Sequence, residues 1–85
     1  MSTSQQAAGA TADAEIGTRI TNALLVKNIK QKTLSEETGI PYATLRRSLA
    51  GQRSLTILEL TKIAAAMEVS PSLILPEAIT ARDAA

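Results

Sequence analysis

The chain has 85 residues and a net charge of +1; 45 % of it is hydrophobic, yet only 1 % is aromatic. It contains no Cys and no His, which excludes disulfides, thiolate metal sites and imidazole chemistry and fits a reducing compartment. This length admits one domain with a modest core, to be built from Leu, Ile, Val, Met and Ala.

Residues 1–12, MSTSQQAAGATA, are small and polar and lack an apolar stripe, so they are read as a disordered tail. The first helix is expected from Asp13 to Asn28, with Ile16, Ile20, Ala23, Leu24 and the stem of Lys27 along one face. A short second helix covers Gln31 to Thr38. Within it, Thr33-Leu34-Ser35-Glu36 has the spacing of a capping box, which competes with a start two residues earlier. Gly39 offers the left-handed conformation that ends a helix. Ile40-Pro41 restarts the chain, because proline fits a first helical turn where its missing N–H is no loss.

The third helix is predicted over Pro41–Ala50, with Leu45 and Leu49 four apart on one side and Gly51 closing it. The fourth runs from Thr56 to Met67 and turns Leu60, Ile63, Ala64 and Met67 inward. The fifth starts at Ser70-Pro71, a cap followed by a proline at the first helical position, and carries Leu73, Ile74 and Leu75. Pro76 ends or kinks it, and the closing residues TARDAA fray. The expected layout is a tail over 1–12, one domain over 13–76 and a C-terminal tail over 77–85. Ala and Leu favour helices, and no stretch alternates long enough to suggest a sheet, so the fold is all-α.

Charge is uneven along the chain. Residues 19–53 hold Arg19, Lys27, Lys30, Lys32, Arg46, Arg47 and Arg53 against Glu36 and Glu37, whereas the remainder holds six acids against Lys62 and Arg82. One cationic face for a polyanion is the reading this supports, against a plain solvated surface. Enzyme chemistry has no foothold: there is no nucleophile–base pair, no metal cluster and no phosphate-cradling glycine loop, and no cofactor is expected. No apolar run approaches the roughly 20 residues needed to span a bilayer, and the N-terminus is unlike a signal peptide. A cytoplasmic protein without a membrane partner is expected.

The second and third helices are too short to persist alone and must lean on each other and on their neighbours. Two such helices joined by a short turn holding Gly39 form a helix-turn-helix, whose second helix protrudes enough to enter the major groove. At about 100° per residue, Leu45 and Leu49 define the inward side of the third helix. Arg47 lies opposite, Ala43 nearly so, Thr44 and Arg46 on the flanks, and Tyr42 at the exposed N-terminal end.

From Ile16 to Leu75 the sequence resembles the XRE-like group of phage repressors and Cro proteins, a helix-turn-helix family. Gln31, Leu34, Gly39, Ile40, Leu45 and Leu49-Ala50-Gly51 stand at the motif's positions, and SLTILELTKIAAAMEVSPSLI is similar to the family's fourth helix and its link to the fifth. Ser35 sits where Ala is usual, Pro41 replaces a common Ser or Thr cap, and Ser48 occupies a position that is often apolar. The resemblance implies a compact five-helix bundle of the lambda-repressor-like type. It also implies a sequence-specific double-stranded DNA-binding regulator, a small repressor or Cro-like switch, working as a homodimer on a palindromic operator.

By that resemblance Tyr42, Ala43 and Arg47 face base edges. Arg47 is the foremost candidate, since a guanidinium can grip guanine O6 and N7 together. Gln31, Lys32, Thr44, Arg46, Gln52 and Arg53 are assigned to phosphates, with Lys30 a weaker candidate and Arg19 and Lys27 left as decoration of the first helix. Leu73, Ile74, Leu75 and Ile79 cannot all be buried by five small helices, and they are assigned to a dimer interface against the plainer alternative of a partly exposed core end. The competing function is an antitoxin-type module with a protein partner, or an accessory protein of recombination or excision. The ending Asp83-Ala84-Ala85 faintly resembles a protease-read tag, although an Ala-rich chain produces that ending by chance.

Overall fold

The computed structural model describes residues 2–75, with side chains from residue 12 onward. Five helices follow in chain order: α1 (Ser2–Lys27), α2 (Gln31–Thr38), α3 (Tyr42–Leu49), α4 (Ile57–Met67) and α5 (Pro71–Ile74). No strand occurs among the described residues. The expected Pro76, the 77–85 tail, Ile79 and the Ala84-Ala85 ending lie outside them.

The apolar positions at three- and four-residue spacing converge on one centre. Ile16, Ile20 and Leu24 of α1 meet Leu34 of α2 and Leu45 and Leu49 of α3; Leu60, Ile63, Ala64 and Met67 of α4 complete it with Ile40 and Ile74. Ile20, Leu45, Ile63 and Ile74 have no exposed surface at all. Burying each such side chain stabilises the fold by about 1.5–3 kcal/mol. A core of aliphatic side chains and Met67, with no ring in it, is what the composition required.

The turn between α2 and α3 is built as the sequence suggested, with additional ties. Gly39 adopts φ 77 and its N–H donates to the Ser35 carbonyl at 2.9 Å. The Ser35 hydroxyl donates to the Ile40 carbonyl at 2.6 Å, and Thr38 Oγ1 donates to the Leu34 carbonyl at 2.8 Å. Ser35 is small enough for close helix contact and also binds the turn that follows, so the departure from Ala strengthens the corner. Gly17 permits a second close approach: a Cβ there would collide with the Leu49 carbonyl, so α1 and the end of α3 touch backbone to backbone.

Several expected boundaries change. α1 begins at Ser2 rather than Asp13, and its backbone runs through the segment read as a tail. Lack of an apolar stripe argues against packing; it does not oppose a helix in an Ala-containing, proline-free stretch. Among the described side chains, Asp13 ties α1 to the loop before α4: its carboxylate accepts from the Ser54 hydroxyl at 2.7 Å. The capping box at Thr33–Glu36 does not form. α2 starts at Gln31 behind Lys30, which makes no side-chain cap, so Thr33 is already inside the helix. The box forms instead at Thr56 and Glu59, at the start of α4. Pro41 is the N-cap of α3 rather than its first residue, and Ala50 is its C-cap. At α5, Ser70 caps and Pro71 takes the first position as expected, but the helix is only four residues long.

Candidate nucleic-acid interface

α3 is amphipathic, and the Gly39 corner fixes which side it shows. Leu45, Ser48 and Leu49 are buried, while Tyr42, Ala43, Arg46 and Arg47 are exposed and Thr44 is half-buried. The three residues assigned to base edges therefore share one open surface. Tyr42, which could have packed on Leu45 or faced a ligand, is 45 % exposed. The Arg46 guanidinium carbon stands 5.8 Å from its ring centre, an arrangement in which the cation is attracted to the ring face and steadied there.

The residues assigned to phosphates fall into two groups. Lys32, Arg46 and Gln52 are exposed, and Gln31 is half-buried at the first position of α2. Gln31 and Lys30 line a shallow concavity with Tyr42, Asn28 and Ile29, so the start of α2 adjoins the start of α3. Exposed Lys30 adds a further cation on that side. Helix N-terminal amides favour an anion at such a place.

Arg53 is different. Its Nη1 donates to Ser48 Oγ at 2.9 Å and to Glu59 Oε1 at 3.1 Å, and its Nη2 donates to Glu59 Oε2 at 3.0 Å. Ser48 Oγ in turn donates to the Thr44 carbonyl at 3.1 Å. Glu59 Oε1 also accepts from the Thr56 N–H at 2.9 Å, and the Thr56 hydroxyl accepts from the Glu59 N–H at 3.1 Å. The Arg53 hydrogen bonds, followed by the Thr56 amide, hold the Glu59 carboxyl below its ordinary value. A continuous polar chain thus runs from the buried side of α3, through the loop after it, to the first turn of α4.

Sequence reading missed Glu59 altogether. The signal was present in Thr56-Ile57-Leu58-Glu59, a threonine with a glutamate three residues on, and in Ser48, a polar residue on an inward face that needs a partner. Arg19 is also matched locally, by Glu15 at 2.9 Å one turn away.

Of the four residues assigned to a dimer interface, Leu73, Ile74 and Leu75 are described, and they separate. Ile74 is fully buried in the chain's own core, Leu75 packs against that core, and Leu73 is 52 % exposed. Leu73 borders a groove with Val69 and with Ala23, Val26 and Lys27 of α1. Leu25, Val26, Ile57 and Leu58 are exposed apolar residues that the sequence stripes did not single out. Among the described residues, no helix is long and apolar enough to cross a membrane.

A family model described as helix-turn-helix matches residues 22–74, more than half of the chain. The fold is also that of the restriction-modification controller protein C.AhdI from Aeromonas hydrophila, with a TM-score of 0.70 and 22 % sequence identity over 73 % of this chain and 94 % of that one. No curated protein matches the sequence.

Proposed function

Since the chain belongs to the helix-turn-helix family and is a DNA-binding transcriptional regulator, we propose that it reads a specific double-stranded site by placing α3 in the major groove. One observation carries this reading. Leu45 and Leu49 are buried, and Arg47 on the opposite side of the same helix is exposed. A major groove admits one α-helix, and a guanidinium presented there can bond two acceptors of guanine at once. Ala43 leaves room for a thymine methyl or for close backbone approach, and Tyr42 covers the neighbouring step. Gln31, Lys32, Thr44, Arg46 and Gln52 supply the sequence-independent hold on phosphates.

The chain acts as a homodimer on a palindromic operator, as a small repressor or Cro-like switch. Two half-sites about 34 Å apart would each receive one α3. Exposed Leu73, beside Val26 and Val69, supports pairing through the α1–α5 side, away from the buried Ile74. The C.AhdI likeness is consistent with a regulator in this role, since that protein is itself a controller.

Selection of bound fragments from a random duplex pool tests both statements. A two-fold symmetric consensus is expected, and recovery of unenriched fragments would refute sequence-specific reading. On the selected site, Arg47→Ala should lose roughly 1–3 kcal/mol of discrimination at one base pair. Equal affinity of variant and parent in a gel-shift titration would remove Arg47 from the reading set.

A further inference from the structure

Arg53 lies in the loop directly after α3, where a free cation would meet the DNA backbone, yet its charge is already matched inside the protein. Its side chain is only 30 % exposed and that of Glu59 only 19 %. Three of its N–H groups are committed, two to the Glu59 carboxylate and one to Ser48. Glu59 is in turn held on its other side by the Thr56 amide. Neither partner can leave without exposing a deficit. Departure of Arg53 would strip Glu59 of both guanidinium bonds and would cost the buried Ser48 hydroxyl its one hydrogen bond outside α3 among the described residues.

We propose, on the reading that this chain binds duplex DNA through α3, that Glu59 is a positioning residue that keeps Arg53 off the phosphate backbone and uses it to tie α3 to α4. Cations that reach phosphates release counterions and strengthen binding to any sequence, each adding about 0.9 to the slope of log affinity against log salt. A guanidinium paired with a carboxylate brings no net charge to that exchange. Lys32, Arg46 and Arg47, which are exposed and form no ion pair among the described residues, remain to supply it. Ser48 follows Arg47 in sequence, so the Glu59–Arg53–Ser48 chain anchors the inward side of the helix one residue from its foremost reading residue. The result is a regulator with a weaker hold on arbitrary DNA and a fixed angle for its reading helix.

Salt-dependent binding to two duplexes of equal length, one selected from the random pool and one of random sequence, separates the possibilities. Glu59→Gln keeps an oxygen for the Thr56 amide while releasing Arg53. Its slope should steepen by about 0.9 on both duplexes, with random-sequence affinity rising several-fold. Arg53→Gln should leave the parent slope unchanged, and the double variant should return to it. An unchanged slope for Glu59→Gln overturns the proposal. So does a shallower slope for Arg53→Gln, which would place Arg53 on a phosphate in the parent. A steeper slope persisting in the double variant would trace the effect to lost acidity alone and overturn it equally.

A second measurement needs no variant. The Glu59 carboxyl carbon resonance of the unaltered protein should stay in place as the selected duplex is added; movement toward a free carboxylate means the pair has opened and the proposal is wrong. Failure of the parent to bind either duplex refutes the DNA reading and this inference together, whereas normal parent binding with any contrary slope refutes this inference alone.

Discussion

Arg47 and Arg53 carry the same charge and lie close together in sequence, but they inhabit opposite settings. Arg47 projects from the open side of α3 with no ion-pair partner among the described residues. Arg53, in the loop beyond α3, is held by Ser48 and by both oxygens of Glu59. One is exposed, and the other ties α3 to the first turn of α4. A count of basic residues treats them alike. Burial and partners divide them: on the proposed reading, the open one is offered to a base and the paired one steadies the helix that carries it.

The most severe disturbance of this division is removal of the side that orients α3. Leu45→Ala deletes a side chain with no exposed surface and should destabilise the protein by about 2–5 kcal/mol in urea unfolding. Arg47 would then lose its direction along with the fold. A smaller effect comes from the latch. Arg53→Ala breaks three hydrogen bonds in a partly wet site and should cost about 1–2 kcal/mol. A thermal melt unchanged from the parent would mean that the latch contributes nothing.

Acid offers a milder probe of the same pair. Glu59 binds its proton less readily in the folded chain than when unfolded, so the unfolded state takes up more protons as pH falls. The stability it contributes is complete above its ordinary value of 4.5 and is lost as pH drops through the lowered folded value. Glu59→Gln should flatten that acid decline, and a variant that melts in parallel with the parent across this window would argue that other carboxylates dominate. Smallest of all is Arg47→Ala, which should shift stability by less than about 0.5 kcal/mol because its side chain is exposed and unpaired. A larger loss would show that Arg47, like Arg53, has a structural duty.

What the sequence revealed depended on the range of the interaction. Leu45 and Leu49, or Ile16, Ile20 and Leu24, declare their shared face through helical spacing alone, and Gly39 declares its turn because few other residues tolerate φ 77. Those local signals were enough for α2, α4 and the outward surface of α3. Two identical patterns, Thr33 to Glu36 and Thr56 to Glu59, then diverged. A capping box also needs the chain to enter the helix at its threonine, and α2 had already begun at Gln31. The tie from Arg53 to Glu59 stayed hidden for a related reason. The charge of Arg53 is visible in the sequence, but the carboxylate that answers it sits across a loop, and only the fold brings the buried Ser48 hydroxyl within reach of the same guanidinium.

Gly17 illustrates the same limit. Within α1 a glycine looks like a weak point, and only the Leu49 carbonyl lying against it explains the absence of a side chain. Ile74 makes the converse point. Three consecutive apolar residues, Leu73 to Leu75, invited a shared role, yet a single helical turn sends one fully inward and leaves its neighbour half in solvent.

Tyr42 is the chain's single aromatic side chain, and it stands at the entrance of α3 under Arg46. With no tryptophan or phenylalanine elsewhere, all near-ultraviolet signal originates from that one spot. The molecule therefore carries a built-in optical probe at the surface assigned to ligand, and docking there would register as a change in tyrosine emission or dichroism without any attached dye.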